Sequence, residues 1–229
     1  MGLIGLLVAS LLGAPGPAPP PAVVQVKLPA LRQELLEMEK KDQAARIAML
    51  TEMGRQGQTP LGEKPGPKAP ASKAVVDASR ALEELDRKHR VRLREIIGRH
   101  GWPGKSLVGT DGAQAAWLLV QHSDHDRDFQ KQCLALMTAA PKREVDARNV
   151  AYLTDRVLLA EGKKQRYGTQ LQGEGGTFKP RPIEDPANVD KRRAEMGLEP
   201  LAEYLRTAQE LYQKFTRPEG KAKPDGTKP

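Results

Sequence analysis

The sequence predicts a mainly α-helical fold: a compact helical domain of about six to seven helices, with a minor β-hairpin near residues 166–183. Apolar residues recur at three- and four-residue spacing along most of the chain, which is the pattern of one helix face. Aromatic residues make up only 4% of the sequence, so a core must be mainly aliphatic, and this favours helix packing over a β-sandwich. Glycines, which favour helix ends, close several apolar stripes, as at Gly54, Gly98 and Gly162.

Two long stripes predict the first two helices. The first helix is expected over residues 30–53, because Pro29 suits a first helical turn and an apolar stripe follows it. That stripe contains Leu31, Leu35, Met38, Ala45 and Met49. Asp42 and Arg46 lie four residues apart on this helix, a spacing that predicts a weak ion pair on the helix surface. The second helix is expected over residues 77–98, with apolar positions at Leu82, Leu85, Leu93, Ile96 and Ile97.

Five shorter segments predict the remaining helices, over residues 112–123, 126–140, 145–161, 188–196 and 201–215. Their apolar positions include Trp117, Phe129, Leu153 and Leu205. The segments 166–172 and 177–183 flank a glycine-rich stretch and predict the hairpin. A lone hairpin is only marginally stable in water, so it is expected to pack on the helices.

The beginning of the chain has the composition of an export signal. Residues 1–22 are predicted to be a signal peptide or short anchor with a Pro-rich spacer, because the apolar run 3–12 is shorter than the ~20 residues of a membrane span and matches the hydrophobic part of a secretory signal. We therefore expect an exported protein, either periplasmic, secreted or cell-envelope associated, with no stable membrane span beyond this segment. An uncleaved anchor or a misassigned start codon is the alternative.

The domain boundaries are predicted from the segments that lack apolar residues. Residues 23–216 are predicted to form a single helical domain, interrupted by a flexible Pro/Gly-rich insertion at residues 54–74. Residues 217–229 contain Pro, Gly and Lys without a hydrophobic anchor, and they predict a disordered tail.

Charge and cysteine content limit the classes of partner. The net charge of +8 raises the prospect of an anionic partner, but basic and acidic residues alternate along the body. No basic run is interleaved with aromatic residues, so the sequence disfavours nucleic-acid binding. The single cysteine, Cys133, lies on an apolar stripe and predicts a buried free thiol, which excludes an internal disulfide and a cysteine-based zinc site. The oligomeric state is left open.

The segment after Trp117 is the most unusual part of the sequence. If the helix there continues for one more turn, Trp117, Val120, Gln121, Asp124 and His125 share one face. An apolar stripe would then lead into amide, carboxylate and imidazole groups, and buried polar groups need partners. This pattern indicates a polar network or a ligand site. The alternative is a turn in which Asp126 caps the next helix.

Candidate catalytic residues are the imidazoles of His125 and His122 and the carboxylate of Asp155. An Asp124–His125 pair would be an oriented general base acting on Thr169 or on water. An anionic group of a ligand is expected to bind Arg156 or Arg166, while Gln121 and Gln170 orient the ligand. The predicted ligand-binding residues are Gln121, Arg156, Arg166, Tyr167, Thr169, Gln170 and Trp102.

No metal site is predicted, although one alternative stays open. His122, Asp124, His125 and Asp126 supply nitrogen and oxygen ligands. His125-Asp126 resembles the adjacent His-Asp pair of helical metal phosphohydrolases, with His89 or His100 upstream and Asp146 or Asp155 downstream. The sequence contains no Walker-type phosphate loop, no Gly-x-Ser-x-Gly nucleophile elbow and no His-Glu-x-x-His motif. The cofactor is therefore left unknown.

Several motifs together resemble an uncharacterised bacterial family, a domain of unknown function. They are Gly101-Trp102-Pro103, Gln121-His122-Ser123-Asp124-His125-Asp126, Tyr152-Leu153-Thr154-Asp155-Arg156, Tyr167-Gly168-Thr169-Gln170 and Pro182-Ile183-Glu184-Asp185-Pro186. The stretch from Met38 to Arg46, with Asp42-Gln43, is similar to the first helix of that family. The resemblance implies one domain but no established activity. Because its motifs contain many polar residues, it favours a site.

Three functional hypotheses follow. The first is a hydrolase-type enzyme on a small or anionic substrate, with His125 or His122 as acid and base. The second is a non-catalytic cell-envelope module that binds a ligand or a partner through the same polar pocket. The third is a structural helical domain whose polar cluster only stabilises the fold. The first two depend on the polar residues after Trp117 meeting the segment around Tyr167.

Overall fold

A computed structural model describes residues 26–55, 72–174 and 177–216 of the 229-residue chain. The predicted signal or anchor at 1–22, the disordered tail at 217–229 and most of the insertion at 54–74 lie outside these residues. Export therefore stays a prediction. Within the described ranges, no helix combines enough length with enough hydropathy to cross a bilayer.

The described residues form seven α-helices and one two-stranded antiparallel sheet, which confirms the predicted fold class. The helices are α1 (Pro29–Arg55), α2 (Lys73–His100), α3 (Lys105–Gln121), α4 (Arg127–Ala139), α5 (Ala147–Ala160), α6 (Val189–Glu195) and α7 (Leu201–Thr216). The strands are β1 (Leu171–Glu174) and β2 (Thr177–Pro180), between α5 and α6. Short 3₁₀ turns at Lys142–Glu144 and Pro186–Asn188 precede α5 and α6.

Side-chain caps fix the starts of three helices. The Ser72 hydroxyl accepts from the Val75 amide at the start of α2. Asp126 accepts from the Phe129 amide at 3.0 Å and begins α4, and Asp146 accepts from the Arg148 amide at 2.9 Å and begins α5. Such caps satisfy amides that have no partner within the helix. The expected capping role of Asp126 is therefore present.

Helix α3 begins seven residues earlier than its apolar stripe predicted, at Lys105 rather than at residue 112. Gly109 interrupts it with a φ of 77°, a left-handed conformation that favours glycine. A Cβ atom at position 109 would lie 3.3 Å from Arg32 Nε and 3.0 Å from Asp111 Oδ1. The kink thus allows the start of α3 to approach α1 closely.

The core is centred on α3, which packs against α1 on one side and lies near α4 on the other. Trp117 is 1% exposed, and its indole nitrogen donates to the Asn149 carbonyl of α5 at 3.0 Å. The Tyr152 ring contacts Trp117 and Tyr204 edge-on. These contacts join α3, α5 and α7 around one mainly aliphatic core.

The hairpin is shorter than predicted. Leu171 pairs with Pro180 and Glu174 pairs with Thr177, so residues 166–170 belong to a loop instead. Phe178 packs edge-on against Tyr212 of α7, with ring centroids 5.5 Å apart. The expectation that the hairpin packs on the helices is met by this contact.

Candidate functional site

Charged and imidazole side chains are buried where α1, α2 and the end of α3 meet. We call this set the charged cluster: Asp42 and Arg46 from α1, Asp86 and His89 from α2, and His122 directly after α3. Each is at most 9% exposed, and Asp42 is 0% exposed. Buried ionisable groups are costly unless they are paired, so the contacts within the cluster decide what it can do.

The contact between Asp42 and His122 fixes the imidazole. Asp42 Oδ2 lies 2.7 Å from His122 Nδ1. Arg46 Nε lies 2.9 Å from the same imidazole nitrogen and 3.2 Å from both Asp42 oxygens. The Arg46 N–H is directed at Nδ1 as well as at both Asp42 oxygens, so an Nδ1 without a proton would accept from Arg46. An ionised carboxylate can only accept, so the 2.7 Å contact with Asp42 favours the tautomer in which Nδ1 carries the proton and donates to Asp42. The other imidazole nitrogen, Nε2, is left with its lone pair.

The pKa shifts of these two groups indicate their charge states. Burial alone would raise the pKa of Asp42, but the contacts with His122 and Arg46 outweigh it and lower that pKa to about 2. Burial lowers the pKa of His122 below its ordinary value, although Asp42 opposes this shift. Near neutral pH, therefore, the carboxylate is charged and the imidazole is neutral, which is the state of a general base.

Arg46 connects Asp42 to a second carboxylate. Its Nη2 lies 2.6 Å from Asp86 Oδ1 and 3.1 Å from Asp42 Oδ1. Burial raises the pKa of Asp86 to about 6 even though Arg46 opposes the shift, and the nearby charge of Asp42 adds to the rise. The guanidinium is thus shared between a strongly acidic carboxyl and one that titrates close to physiological pH.

Three buried nitrogen atoms in this region have no hydrogen-bond partner among the residues that the structure describes. They are His89 Nδ1, Gln121 Nε2 and His122 Nε2. Burial also lowers the pKa of His89, so this imidazole too is neutral near pH 7. Buried polar atoms are nearly always satisfied by protein, water or a ligand. The presence of three such atoms without partners therefore marks this region as a candidate binding or catalytic site.

A second group of polar side chains adjoins the charged cluster through Gln121. Arg156 of α5 donates from Nε to Gln121 Oε1 at 3.0 Å and from Nη1 to Asp124 Oδ1 at 2.5 Å. Gln130 Nε2 donates to the same Asp124 oxygen at 3.2 Å. Burial opposes ionisation of Asp124, but Arg156 lowers its pKa overall. The Asp124 side chain is 20% exposed, so the region borders solvent here.

Asp155, next to Arg156 on α5, serves a different part of the fold. Its two oxygens accept from the amides of Arg166, Tyr167 and Thr169 and from the Thr169 hydroxyl, at 2.7–3.2 Å. Burial raises the pKa of Asp155, and these donors oppose the rise. With four donors and no exposure, this carboxylate stabilises the loop before β1.

The family of the chain is shown by sequence comparison. A family model matches residues 29–216, which spans all seven helices and the hairpin. The chain belongs to the family of unknown function DUF6624. This confirms the resemblance to an uncharacterised family. No curated protein and no solved structure matches the chain, so the family brings no activity with it, and the function must be argued from the site.

In this DUF6624 chain, His125 does not turn inward as expected. Helix α3 ends at Gln121, and His122 at its C-cap has φ −84° and ψ 0°. The chain then turns toward the Asp126 cap, so the predicted helical face is not continued and the His125 side chain is exposed. His122, three residues earlier, holds the buried position instead. An oriented Asp124–His125 base is therefore not formed, since Asp124 pairs with Arg156.

The expected single pocket is divided into two networks on adjacent residues of α5. Arg156 faces Gln121, whereas Asp155 faces the loop, and no hydrogen bond between described residues joins the loop to His122 or Gln121. Thr169 donates to Asp155, and Gln170 is bound through its backbone to Gln165. The loop is packed around Asp155 and does not form the other wall of the charged cluster.

The remaining predicted ligand-binding residues lie outside the charged cluster. The Arg166 side chain is exposed and stacks 5.8 Å above the half-buried Tyr167 ring. Trp102 is partly buried against the hydrophobic core. A surface groove between α4 and α5, lined by Leu134, Ala135 and Val157 among others, includes no residue of the charged cluster.

Sequence reasoning missed three residues of the charged cluster. Asp42 and Arg46 were expected on the helix surface, but both are buried, and Asp86 was not singled out. Their helical spacing could have revealed this burial, because Asp42 falls on the same face of α1 as Leu35, Met38 and Met49. A charged residue at an apolar-stripe position predicts a buried polar site.

The same signal marks α2. Asp86 and His89 follow Leu82 and precede Leu93 at helical spacing. The sequence indicates His89 only as an upstream ligand in the metal-phosphohydrolase alternative. Among the described residues, no group of three or more His, Cys, Asp or Glu side chains is arranged to hold a metal ion.

Proposed function

We propose that this protein is a hydrolase-type enzyme in which His122 is the general base that activates a water molecule. The observation that supports the proposal is that the two nitrogens of the His122 imidazole have different surroundings. Nδ1 is fixed by the ionised Asp42 carboxylate at 2.7 Å, while Nε2 has no partner among the described residues. A neutral histidine oriented by a carboxylate is the arrangement that general-base catalysis requires.

The surrounding charges suit a proton transfer to Nε2. When the imidazole takes a proton, its new positive charge lies beside the Asp42 carboxylate, which stabilises it. Arg46 donates to both oxygens of that carboxylate, which restrains Asp42 beside Nδ1. Asp42 and Arg46 are thus positioning residues, and His122 is the group that meets the water.

Access to Nε2 constrains how the site works. His122 is only 3% exposed, so a substrate must displace the side chains that cover it. Asp124, whose side chain is 20% exposed, is joined through Arg156 to Gln121, which directly precedes His122. Exclusion of bulk water strengthens the electrostatic interactions inside such a site.

The non-catalytic alternative is a ligand- or partner-binding module that uses the same buried groups. Binding alone needs complementary donors and acceptors but no base with a fixed tautomer. The Asp42–His122 contact favours catalysis, because it prepares one nitrogen as a proton acceptor. The experiment below separates the two functions, since a binding module retains affinity without turnover.

The test compares two histidines that lie three residues apart. His122→Asn keeps an N–H close to the position of Nδ1, so the contact with Asp42 survives while the base is removed. His125→Asn changes an exposed imidazole outside the cluster and is the matched control. Wild-type protein, H122N and H125N would be assayed against uncharged carboxylic esters and amides and against phosphate and sulfate esters, with circular dichroism as the check of folding.

We expect wild-type and H125N to turn over one of these classes and H122N to lose at least about 10²-fold in kcat, as for removal of a general base. Equal turnover by H122N and H125N would contradict the proposal. Absence of any His122-dependent turnover across all classes would contradict it as well, and would leave the binding module as the better account.

A further inference from the structure

We infer that the substrate is an uncharged carboxylic ester or amide, and that Gln121 donates to its carbonyl oxygen; this rests on the proposed function of His122. Gln121 directly precedes His122 at the end of α3 and is 1% exposed. Its Nε2 is one of the buried atoms without a partner among the described residues. The region therefore offers a donor and a base from consecutive residues.

The orientation of the Gln121 amide is set by Arg156. Arg156 Nε donates to Gln121 Oε1 at 3.0 Å, which assigns the oxygen of the amide to that side. Nε2 consequently carries two N–H groups that no described residue accepts. A preorganised donor of this kind stabilises negative charge that develops on an oxygen atom during a reaction.

The charge inventory opposes an anionic substrate. Arg46 is paired with Asp42 and Asp86, and Arg156 is paired with Asp124. Three carboxylates thus face two guanidinium groups, and both His122 and His89 have lowered pKa values. Neither of the two buried guanidinium groups that the structure describes here is left over to compensate a buried phosphate or carboxylate, whose desolvation would be costly.

This inventory revises the expectation that Arg156 or Arg166 holds an anionic group. The charge of Arg156 is already neutralised by Asp124, and Arg166 is exposed in the loop outside the cluster. A neutral carbonyl compound needs no such cation. It needs one hydrogen-bond donor for its oxygen and one base for the attacking water. Gln121 Nε2 is the donor without a partner, and His122 Nε2 is the base.

The reaction that follows is a two-step hydrolysis. His122 Nε2 takes one proton from water while the water oxygen bonds to the carbonyl carbon, and the π electrons move to the carbonyl oxygen, which accepts from Gln121 Nε2. The tetrahedral species then collapses: the bond from carbon to the alcohol oxygen or amine nitrogen breaks, and that leaving atom takes the proton from Nε2. The products are a carboxylic acid and an alcohol or amine, and His122 is neutral again.

The experiment uses the full-length protein with two probe sets: uncharged p-nitrophenyl carboxylic esters and anilides, and p-nitrophenyl phosphate and sulfate. The test variant is Gln121→Met, which removes the donor. The control is Gln165→Met, because Gln165 is equally buried but its amide is fully used, with Nε2 donating to the carbonyls of Gln170 and Arg181.

The expected result is His122-dependent hydrolysis of the uncharged probes, with kcat of Q121M about 10²–10³-fold below wild type and KM within about threefold. Q165M is expected to lower the melting temperature but to leave kcat within about threefold. A fall in melting temperature without the selective loss of kcat in Q121M would overturn the role of Gln121.

The two proposals fail in distinguishable ways. Turnover of the phosphate or sulfate probe that depends on His122, without turnover of the uncharged probes, would overturn the substrate inference and leave the general base standing. If no probe of either set is turned over in a His122-dependent manner, both fall together.

Discussion

Asp42 Oδ2 and His122 Nδ1 lie 2.7 Å apart, although the two residues are 80 positions apart in the sequence. The contact joins the middle of α1 to the first residue after α3, and both side chains are almost fully buried. Because Asp42 is ionised, this contact is a hydrogen bond only when the imidazole proton lies on Nδ1. A proton at this position leaves Nε2 as the nitrogen that can accept a proton.

Removal of the Asp42 charge should therefore lower kcat, because that charge determines which nitrogen of His122 carries the proton. In Asp42→Asn the amide presents an N–H as well as an oxygen, so Nδ1 is no longer forced to carry the proton. We expect kcat to fall about 10²–10⁴-fold, measured with whichever uncharged probe the wild type hydrolyses. The control is Asp111→Asn, which breaks an exposed ion pair with Arg32 and should leave kcat within about twofold.

The pH dependence of the rate follows from the direction of the His122 shift. The neutral imidazole is the active form, and burial lowers its pKa below 6.5. Activity should consequently persist as pH falls to 6.5 and decline only when pH falls through the lowered pKa. A profile of kcat/KM measured from pH 4 to 8 checks this. An acidic limb centred above pH 6.5 would contradict the neutral buried base.

Asp86 should make the protein less stable as pH rises. Its pKa is about 6 in the folded protein and 3.8 for the ordinary carboxyl, so between these values the folded state holds a proton that the unfolded state has released. The contribution of Asp86 to stability then falls by about 3 kcal/mol as pH rises over roughly two pH units.

Urea unfolding at a series of pH values checks that slope. Asp86→Asn should remove this contribution, because asparagine does not titrate, so the stability of the variant relative to wild type should rise by about 3 kcal/mol between pH 4 and 6. Glu83→Gln, at an exposed position on the same helix, is the control and should keep the wild-type slope. A D86N protein with the wild-type slope would show that another group titrates there.

Asp155 should prove structural rather than catalytic. Asp155→Asn replaces a carboxylate oxygen that accepts backbone amides with an amide that cannot, so the loop donors lose partners. We expect a loss of about 3 kcal/mol in the free energy of unfolding, measured by chemical denaturation, while kcat of the remaining folded protein stays within about threefold. A large loss of kcat in a stable D155N protein would reinstate the catalytic role predicted from sequence.

The helices could be predicted because each one buries a stripe that the sequence displays. The stripe of Leu31, Leu35 and Met38 gave α1 to within two residues of its bounds, Pro29–Arg55. The start of α3 could not be predicted in this way. There the determinant is a tertiary contact, the approach of Gly109 to Arg32, and no local periodicity encodes it.

The candidate site could be predicted only in part. Gln121 and His122 stood out because an apolar helix face leads into polar groups at its end. His125 was expected to face inward because the prediction assumed another helical turn, but the helix ends at the C-cap residue His122. The partner of His122, Asp42, is supplied by a different helix, and its distance from His122 along the chain hides the pairing from any spacing rule.

The most direct test is the tautomeric state of His122, measured by long-range ¹H–¹⁵N NMR correlations of the imidazole nitrogens at pH 7 with H122N used for assignment. We predict a neutral ring that carries its proton on Nδ1 and has a bare Nε2, and we predict that this pattern is lost in D42N. A ring protonated on Nε2, or on both nitrogens, would contradict the general base at the centre of this account.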